Sequence, residues 1–466
     1  MNFPQNFIWG AATASYQIEG APLEDGKQLS IWDSFTHEQK RIADDSTGDI
    51  SCNSYHNYKQ DIHLLETLGI QNYRFSVSWP RVLSYDADYK GGGVRGHVNA
   101  KGIAYYDRLI DGLLEKNITP WLTLYHWDLP LELERKGGFR NRDIMYWMGD
   151  YATLIAQKFG DRVKNYFTVN EMPCILGGYD WGIFAPGMRL SQFELLNIIH
   201  NLLLCHGQMT RALRAGISGK SNIGFAHSAE ALYPASETHQ DLEAYYAAQL
   251  SPSVKTDNGY RLAPGCITHW CDPIYFGDYP VQSYETFGKE MPVIKNGDMN
   301  IISTPIDFHG ENIYNGRSIS AAKENGASFQ YDKQDIGAPH TAANWPVSPL
   351  SMYWLPKLLY DRYHKPIVIS ENGMSNTDYI SEDGKVHDLA RIEFTKKYLC
   401  ELSRTIRSGT DVRGYFHWSL LDNFEWARGY SERFGLVYVD YKTGTRIPKD
   451  SSMWYKAVIR NNGFDL

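Results

Sequence analysis

The chain has 466 residues, 43 % hydrophobic and 14 % aromatic, with a formal net charge of −8. That length and apolar fraction support a large buried core, and the negative balance excludes the basic footprint of a nucleic-acid binder. No run of about 18 apolar residues occurs, which excludes a membrane-spanning helix.

The amino terminus, Met1-Asn2-Phe3-Pro4-Gln5-Asn6-Phe7-Ile8-Trp9-Gly10, has no basic region followed by a long apolar stretch. A cytoplasmic location is therefore expected. The six cysteines (Cys52, Cys174, Cys205, Cys266, Cys271 and Cys400) are scattered, as reduced thiols are. The close pair Cys266 and Cys271 has no partners at zinc-ligand spacing, and no His–Glu cluster has one either. No metal and no cofactor are expected.

In chain order, Phe7 to Ser15 reads as a first strand. The amphipathic stretch around Ile62 to Leu65 precedes a second, Tyr73 to Trp79. A helical pattern from Tyr105 to Leu114 leads into Ile118 to Tyr125, and another from Met145 to Phe159 leads into Asn165 to Asn170. A long helical run, Glu194 to Leu213, precedes Ile223 to Ala226. Phe308 to Tyr314, Ile367 to Ser370 and Val412 to Phe416 complete eight strand-like segments. Strands alternating with helices predict a parallel sheet, and eight repeats predict an α/β fold of one (β/α)₈ TIM barrel with long βα loops. An open doubly wound sheet would want a Gly-rich phosphate loop after the first strand, and Gly10-Ala11-Ala12-Thr13-Ala14 does not supply one. The longest loop falls between Ser228 and Asp307, and the glycine-rich stretch Lys90 to Gly96 is another insertion. No composition break divides the chain, so residues 1–466 are expected to form one catalytic domain.

A barrel builds its active site at the carboxyl ends of its strands. There the sequence offers Gln17 and Glu19, Arg74, His126-Trp127-Asp128, Asn170-Glu171, Asn312 and Tyr314, Glu371-Asn372, His417-Trp418, and then Glu425-Trp426. Amides, an imidazole, carboxylates and tryptophan faces are what a pyranose ring needs for binding. Glu171 and Glu371 each end a short apolar strand. Two glutamates facing across a pocket are the minimum apparatus for cutting a glycosidic bond: one donates a proton, the other attacks or activates water.

These motifs resemble those of glycoside hydrolase family 1 β-glucosidases. The similarity runs from Phe7 to the carboxyl terminus. The family's Thr-x-Asn-Glu-Pro motif reads Thr168-Val169-Asn170-Glu171 here, and its Ile/Val-Thr/Ser-Glu-Asn-Gly motif reads Ile369-Ser370-Glu371-Asn372-Gly373. Tyr16 to Gly20 is similar to the amino-terminal signature, and Tyr415 to Trp426 with Arg433 to Asp440 to the carboxyl-terminal one. The resemblance implies a retaining, exo-acting β-glucosidase working by double displacement, with Glu371 as nucleophile and Glu171 as acid/base. It implies that Arg74 and the Tyr314 hydroxyl favour charged Glu371, that Asn170 meets the sugar 2-hydroxyl, and that Gln17, His126, Glu425 and Trp426 hold the 3-, 4- and 6-hydroxyls. Trp418 would lie under the ring, Phe434 near the 6-position and Trp345 against the leaving group. Asn312 joins the substrate-binding set, and Trp127 joins Arg74 among the supporting groups.

Glu425 also bears on the substrate. Relatives that cut 6-phospho-sugars replace this acid and carry a Ser-x-x-x-x-x-Lys-x-Tyr pattern that is absent here. A carboxylate repels a phosphate at close range, so unphosphorylated β-glucosides are expected, with β-galactosides and β-fucosides tolerated. The chain departs from the family at Met172, which displaces the proline to Pro173, at Ile313, at Asn344 and Pro346, and at His227-Ser228. Small β-glycosides are the expected partners, with homo-oligomerisation left open. A transglycosylating enzyme and a catalytically dead sugar binder are the alternatives, the second disfavoured by retention of both glutamates.

Overall fold

Eight parallel strands close on themselves in this computed structural model, which describes residues 1–86, 96–256, 259–263, 265–322 and 328–465. The strands are β1 (Ile8–Ala12), β2 (Asn72–Ser76), β3 (Thr119–Tyr125), β4 (Asn165–Asn170), β5 (Asn222–His227), β6 (His309–Asn312), β7 (Ile367–Asn372) and β8 (Val412–Trp418). Each pairs in parallel with the next, and β8 pairs with β1 to shut the barrel. Of the expected glycine-rich insertion, residues 90–95 lie outside the described residues.

The helices between strands are α1 (Ser54–Thr67), α2 (Ala100–Glu115), α3 (Ile144–Phe159), α4 (Gln192–Gly216), α5 (Thr268–Phe276), α6 (Ser351–Tyr363) and α7 (Leu389–Arg407), and α8 (Asp450–Asn461) follows β8. In α2 the buried Ile103, Tyr106, Ile110 and Leu113 recur at helical spacing, so one stripe faces the sheet. The Asn99 side chain starts that helix by accepting the Lys101 N–H. A reciprocal Ser191–Glu194 cap starts α4.

Several boundaries differ from expectation for local reasons. β1 stops at Ala12 because Ser15–Ile18 turns into a helix, which carries Gln17 across the barrel mouth. β2 stops at Ser76, since Pro80 in the first turn of the Trp79–Val82 helix suits a helix start. β8 runs on to Trp418, and β6 is shorter than expected. The long segment before β6 is not structureless: it holds helix His239–Gln249, paired strands Ser253–Thr256 and Gly259–Leu262, α5 and helix Val281–Phe287.

The barrel is solid below its mouth. Trp121 lies 5.4 Å from Phe416 and 5.7 Å from Phe308, and Phe308 lies 5.1 Å from Phe167, all edge-on. Gly10 and Gly310 make room for these rings: a Cβ on them would sit 2.4 Å from Phe416 and 2.7 Å from Phe167. The carboxyl-terminal mouth opens into a cavity. There the ladder register slips beside Asn170, Asn312 and Glu371, the irregularity by which sheets re-aim side chains.

Candidate active site

Glu371 lies within β7 and is buried. From β2, Arg74 Nη1 reaches its Oε1 at 2.6 Å. The Tyr314 hydroxyl donates to Oε2 at 2.6 Å. Arg74 is itself fixed: Nη2 donates to Asn170 Oδ1 at 2.6 Å and Nε to Thr123 at 3.1 Å.

Glu171 follows β4 immediately, in the left-handed region at φ 49°. Its N–H donates to the Ala226 carbonyl at 2.7 Å, and the Asn312 amide donates to its Oε1 at 2.9 Å. Pro173 falls in the first turn of the one-turn helix Met172–Ile175, where proline is tolerated. Displacement of the proline thus leaves the glutamate at the rim.

The electrostatics separate the two acids. Burial, then the Glu371 charge, pushes Glu171 up to about 8. Burial also raises Glu371, but the Arg74 charge and the Tyr314 hydroxyl oppose it. Only Glu371 of the pair has a cation at contact distance, which favours its charged form over that of Glu171. Glu425 is a third acid here, pushed to about 8 by burial first and then chiefly by the Glu371 charge.

The mouth opens into a cavity of about 490 Å³. Of the residues expected at the site, Glu171, Glu371, His126, Trp127, Asn312, Tyr314, Trp345, Trp418, Glu425, Trp426 and Phe434 all line it. Gln17, Arg74 and Asn170 do not, and stand fully buried directly behind the wall. Asn170 Nδ2 pairs with His126 Nε2 at 3.0 Å, and Trp127 Nε1 donates to the Asn170 carbonyl at 2.9 Å. Gln17 Nε2 donates to Asn423, to the Phe424 carbonyl and, at 3.3 Å, to Glu425. Gln17 Oε1 and His126 Nδ1 are left without a hydrogen-bond partner. Trp418 lies nearly parallel to His126, and Tyr314, Trp345 and Phe434 form an aromatic wall with ring centres 5.4 to 6.1 Å apart.

Ser228, one of the departures from the family pattern, lines the cavity, and so do residues not foreseen: Cys174, Phe184 and the run Ala229 to Ala231. Cys174 stands three residues after Glu171, one helical turn on, and its Sγ lies 3.3 Å from Ser228 Oγ. That i,i+3 spacing was the available signal. Although the sequence has no His–Glu cluster at metal-ligand spacing, His227 of β5 and His309 and Glu311 of β6 meet side by side. Linear spacing misses them because two strands, 82 residues apart between His227 and His309, supply them.

The whole chain compares with known proteins. The profile described as Glycosyl hydrolase family 1 matches residues 1–464. The chain is 42 % identical to beta-glucosidase A of Thermotoga maritima and 41 % identical to a 1,4-beta-D-glucan glucohydrolase of Thermotoga neapolitana, each over 99 % of both chains. Among solved structures it resembles the family 1 b-glucosidase from Thermotoga maritima, with a TM-score of 0.87 and 40 % identity over 100 % of both chains. The same enzyme in complex with deoxynojirimycin gives a TM-score of 0.88 at the same identity and coverage. A barrel with an acid pair at its mouth and likeness from end to end lead to one conclusion: the chain belongs to glycosyl hydrolase family 1 and is a hydrolase of the β-glucosidase kind.

Proposed function

We propose that this is a retaining β-glucosidase that removes terminal, non-reducing β-D-glucosyl residues from aryl glucosides and short oligosaccharides, with β-galactosides and β-fucosides as further substrates. The observation that carries this reading is the asymmetry of the acid pair, with Arg74 and Tyr314 on Glu371 and neither on Glu171. Glu371 attacks the anomeric carbon while Glu171 protonates the departing oxygen. The glycosyl ester then removes the Glu371 charge, the upward push on Glu171 weakens, and Glu171 deprotonates the incoming water. This route calls for carboxyl groups about 5–5.5 Å apart.

Asn170, held by Arg74 and Asn312, is suited to the 2-hydroxyl, whose hydrogen bond strengthens in the transition state. The unpartnered Gln17 Oε1 and His126 Nδ1 suit neighbouring hydroxyls, with Glu425 and Trp426 beside them. Trp418 provides the face under the ring, Phe434 neighbours the 6-position, and Trp345 stacks on the leaving group. Exo-action fits a dead-end floor of packed aromatic rings. The reading of the chain as one catalytic domain is supported by an apolar cluster that draws on residues from Phe3 to Val458, beside a smaller one inside the barrel. A reducing, cytoplasmic setting fits six free cysteines, and no described helix is long and apolar enough to cross a membrane.

The test is Glu371→Ala. Its kcat on an aryl β-glucoside should fall on the order of 10⁴-fold or more. Azide should partly restore turnover and give the α-glycosyl product, because it fills the space of the lost carboxylate. Undiminished turnover in the variant rejects the nucleophile assignment.

A further inference from the structure

Behind the leaving-group side of the cavity, on the outer face of the barrel, His227, His309 and Glu311 form a cluster that hydrolysis does not use. Strand alternation puts it there. Phe308 and Gly310 pack into the barrel interior and Asn312 faces the site, so His309 and Glu311 turn toward α5. Glu311 Oε2 lies 3.2 Å from His227 Nδ1 and 2.8 Å from His309 Nε2. One ligand atom from each residue lies within 4.8 Å of the other two, and all three side chains are fully buried.

We propose that this triad is a structural zinc site. Two imidazole nitrogens and one carboxylate oxygen are a donor set that Zn²⁺ favours. Bonds of about 2.0–2.2 Å hold tetrahedral ligand atoms about 3.3 Å apart; the carboxylate contacts at 3.2 and 2.8 Å would open slightly, and the two imidazole nitrogens, within 4.8 Å of each other, would close onto the ion. The ligands already have the outer contacts that orient metal ligands. The Tyr275 hydroxyl lies 2.7 Å from His309 Nδ1, and the Ala229 N–H donates to Glu311 Oε1 at 2.7 Å.

The protons balance. In the metal-free cluster, His227 Nδ1–H and His309 Nε2–H both donate to Glu311. As the ion enters, each proton moves to the other nitrogen of its own ring. His227 Nε2 has no hydrogen-bond partner, so this change breaks no existing bond there. The His309 Nδ1–H then donates to Tyr275, whose hydroxyl rotates and accepts. The buried carboxylate gains a cation, which lowers the cost of burying its charge. Among the described residues no other His, Cys, Asp or Glu joins the three at ligand distance, so the fourth position would be taken by a water molecule. Glu311 also holds Ala229, and Ser228 to Ala231 line the cavity, so the ion would brace the leaving-group wall from behind.

The experiment uses the full chain, stripped with EDTA, dialysed into metal-free buffer and titrated with Zn²⁺ by calorimetry. One equivalent should bind with a Kd below about 1 μM, and excess Zn²⁺ should raise Tm by several degrees, since a ligand of the native state stabilises it. Co²⁺ in place of Zn²⁺ should give a visible tetrahedral spectrum. Glu311→Gln and His227→Asn should each abolish the stoichiometric binding and the Tm rise. Wild-type protein that takes up less than about a tenth of an equivalent, with no Tm change, overturns the site irrespective of how the variants fold. Binding of undiminished affinity in both variants overturns it as well, because the ion then sits elsewhere.

Discussion

Glu171 concentrates the residue-scale physics. Its acid form persists to about pH 8 because burial and a neighbouring anion both oppose its charge. The alkaline limb of kcat/KM should therefore fall with an apparent pKa near 8. Glu171→Gln should lose about 10²–10⁴-fold on substrates with poor leaving groups and far less on dinitrophenyl glucosides, which leave without protonation. The same shift has a stability consequence. A folded value above the unfolded one, about 4.3, gives stability that is complete below that pH and is lost as pH rises through about 8. Glu171→Gln cannot ionise, so its Tm advantage over wild type should widen from pH 5 to pH 8. A gap that narrows over that range would contradict the buried-acid assignment.

At the scale of elements, α4 shows packing outweighing propensity. Gly207 sits inside this helix, where alanine is intrinsically better by about 1 kcal/mol. A Cβ there would lie 1.9 Å from the Ile301 carbonyl oxygen, so helix Asp298–Ile302 would have to move. Overpacking of this kind costs about 1–3 kcal/mol, so Gly207→Ala should lower Tm by several degrees. A raised Tm would mean that the contact relaxes freely. The same contest governed what could be read in advance. α2, α3 and α4 bury long apolar stripes; α3 and α4 were legible to within three residues, and α2 begins five residues before its expected start. Helix His239–Gln249 buries only Ala244, Tyr245 and Gln249, and therefore left little periodic signal.

Across the whole molecule, a buried charge network ties the loops after β7 and β8 to each other. Lys449 Nζ meets Asp378 and Asp422, each at 2.6 Å. Arg391 on α7 meets Asp378 at 2.7 Å and also pairs with Asp388, and Arg433 meets Asp422 at 2.7 Å. Removing one partner strands buried charge, so Lys449→Met should cost about 3–5 kcal/mol in chemical denaturation. Burial pushes Asp378 upward, but Arg391 and Lys449 outweigh it and hold the group below its ordinary range. A lowered folded value contributes stability that is present above the unfolded value, near 3.9, and lost as pH falls through the folded one. Wild type should lose stability there on acidification. A Lys449→Met variant as stable as wild type at neutral pH would dismiss the network as incidental.

The sequence by itself determined the alternation of strands and helices, hence the barrel, because apolar periodicity and turn chemistry are local. It also pointed to the two glutamates and to about half of the cavity lining, because a barrel collects its strand ends at one mouth whatever lies between them. Tertiary structure alone decided that Gln17, Arg74 and Asn170 stand behind the wall, that Cys174 and Phe184 help to form it, and that His227, His309 and Glu311 converge. Those outcomes depend on register, on left-handed turns such as Glu171 and on contacts across adjacent strands, and linear spacing carries none of that information.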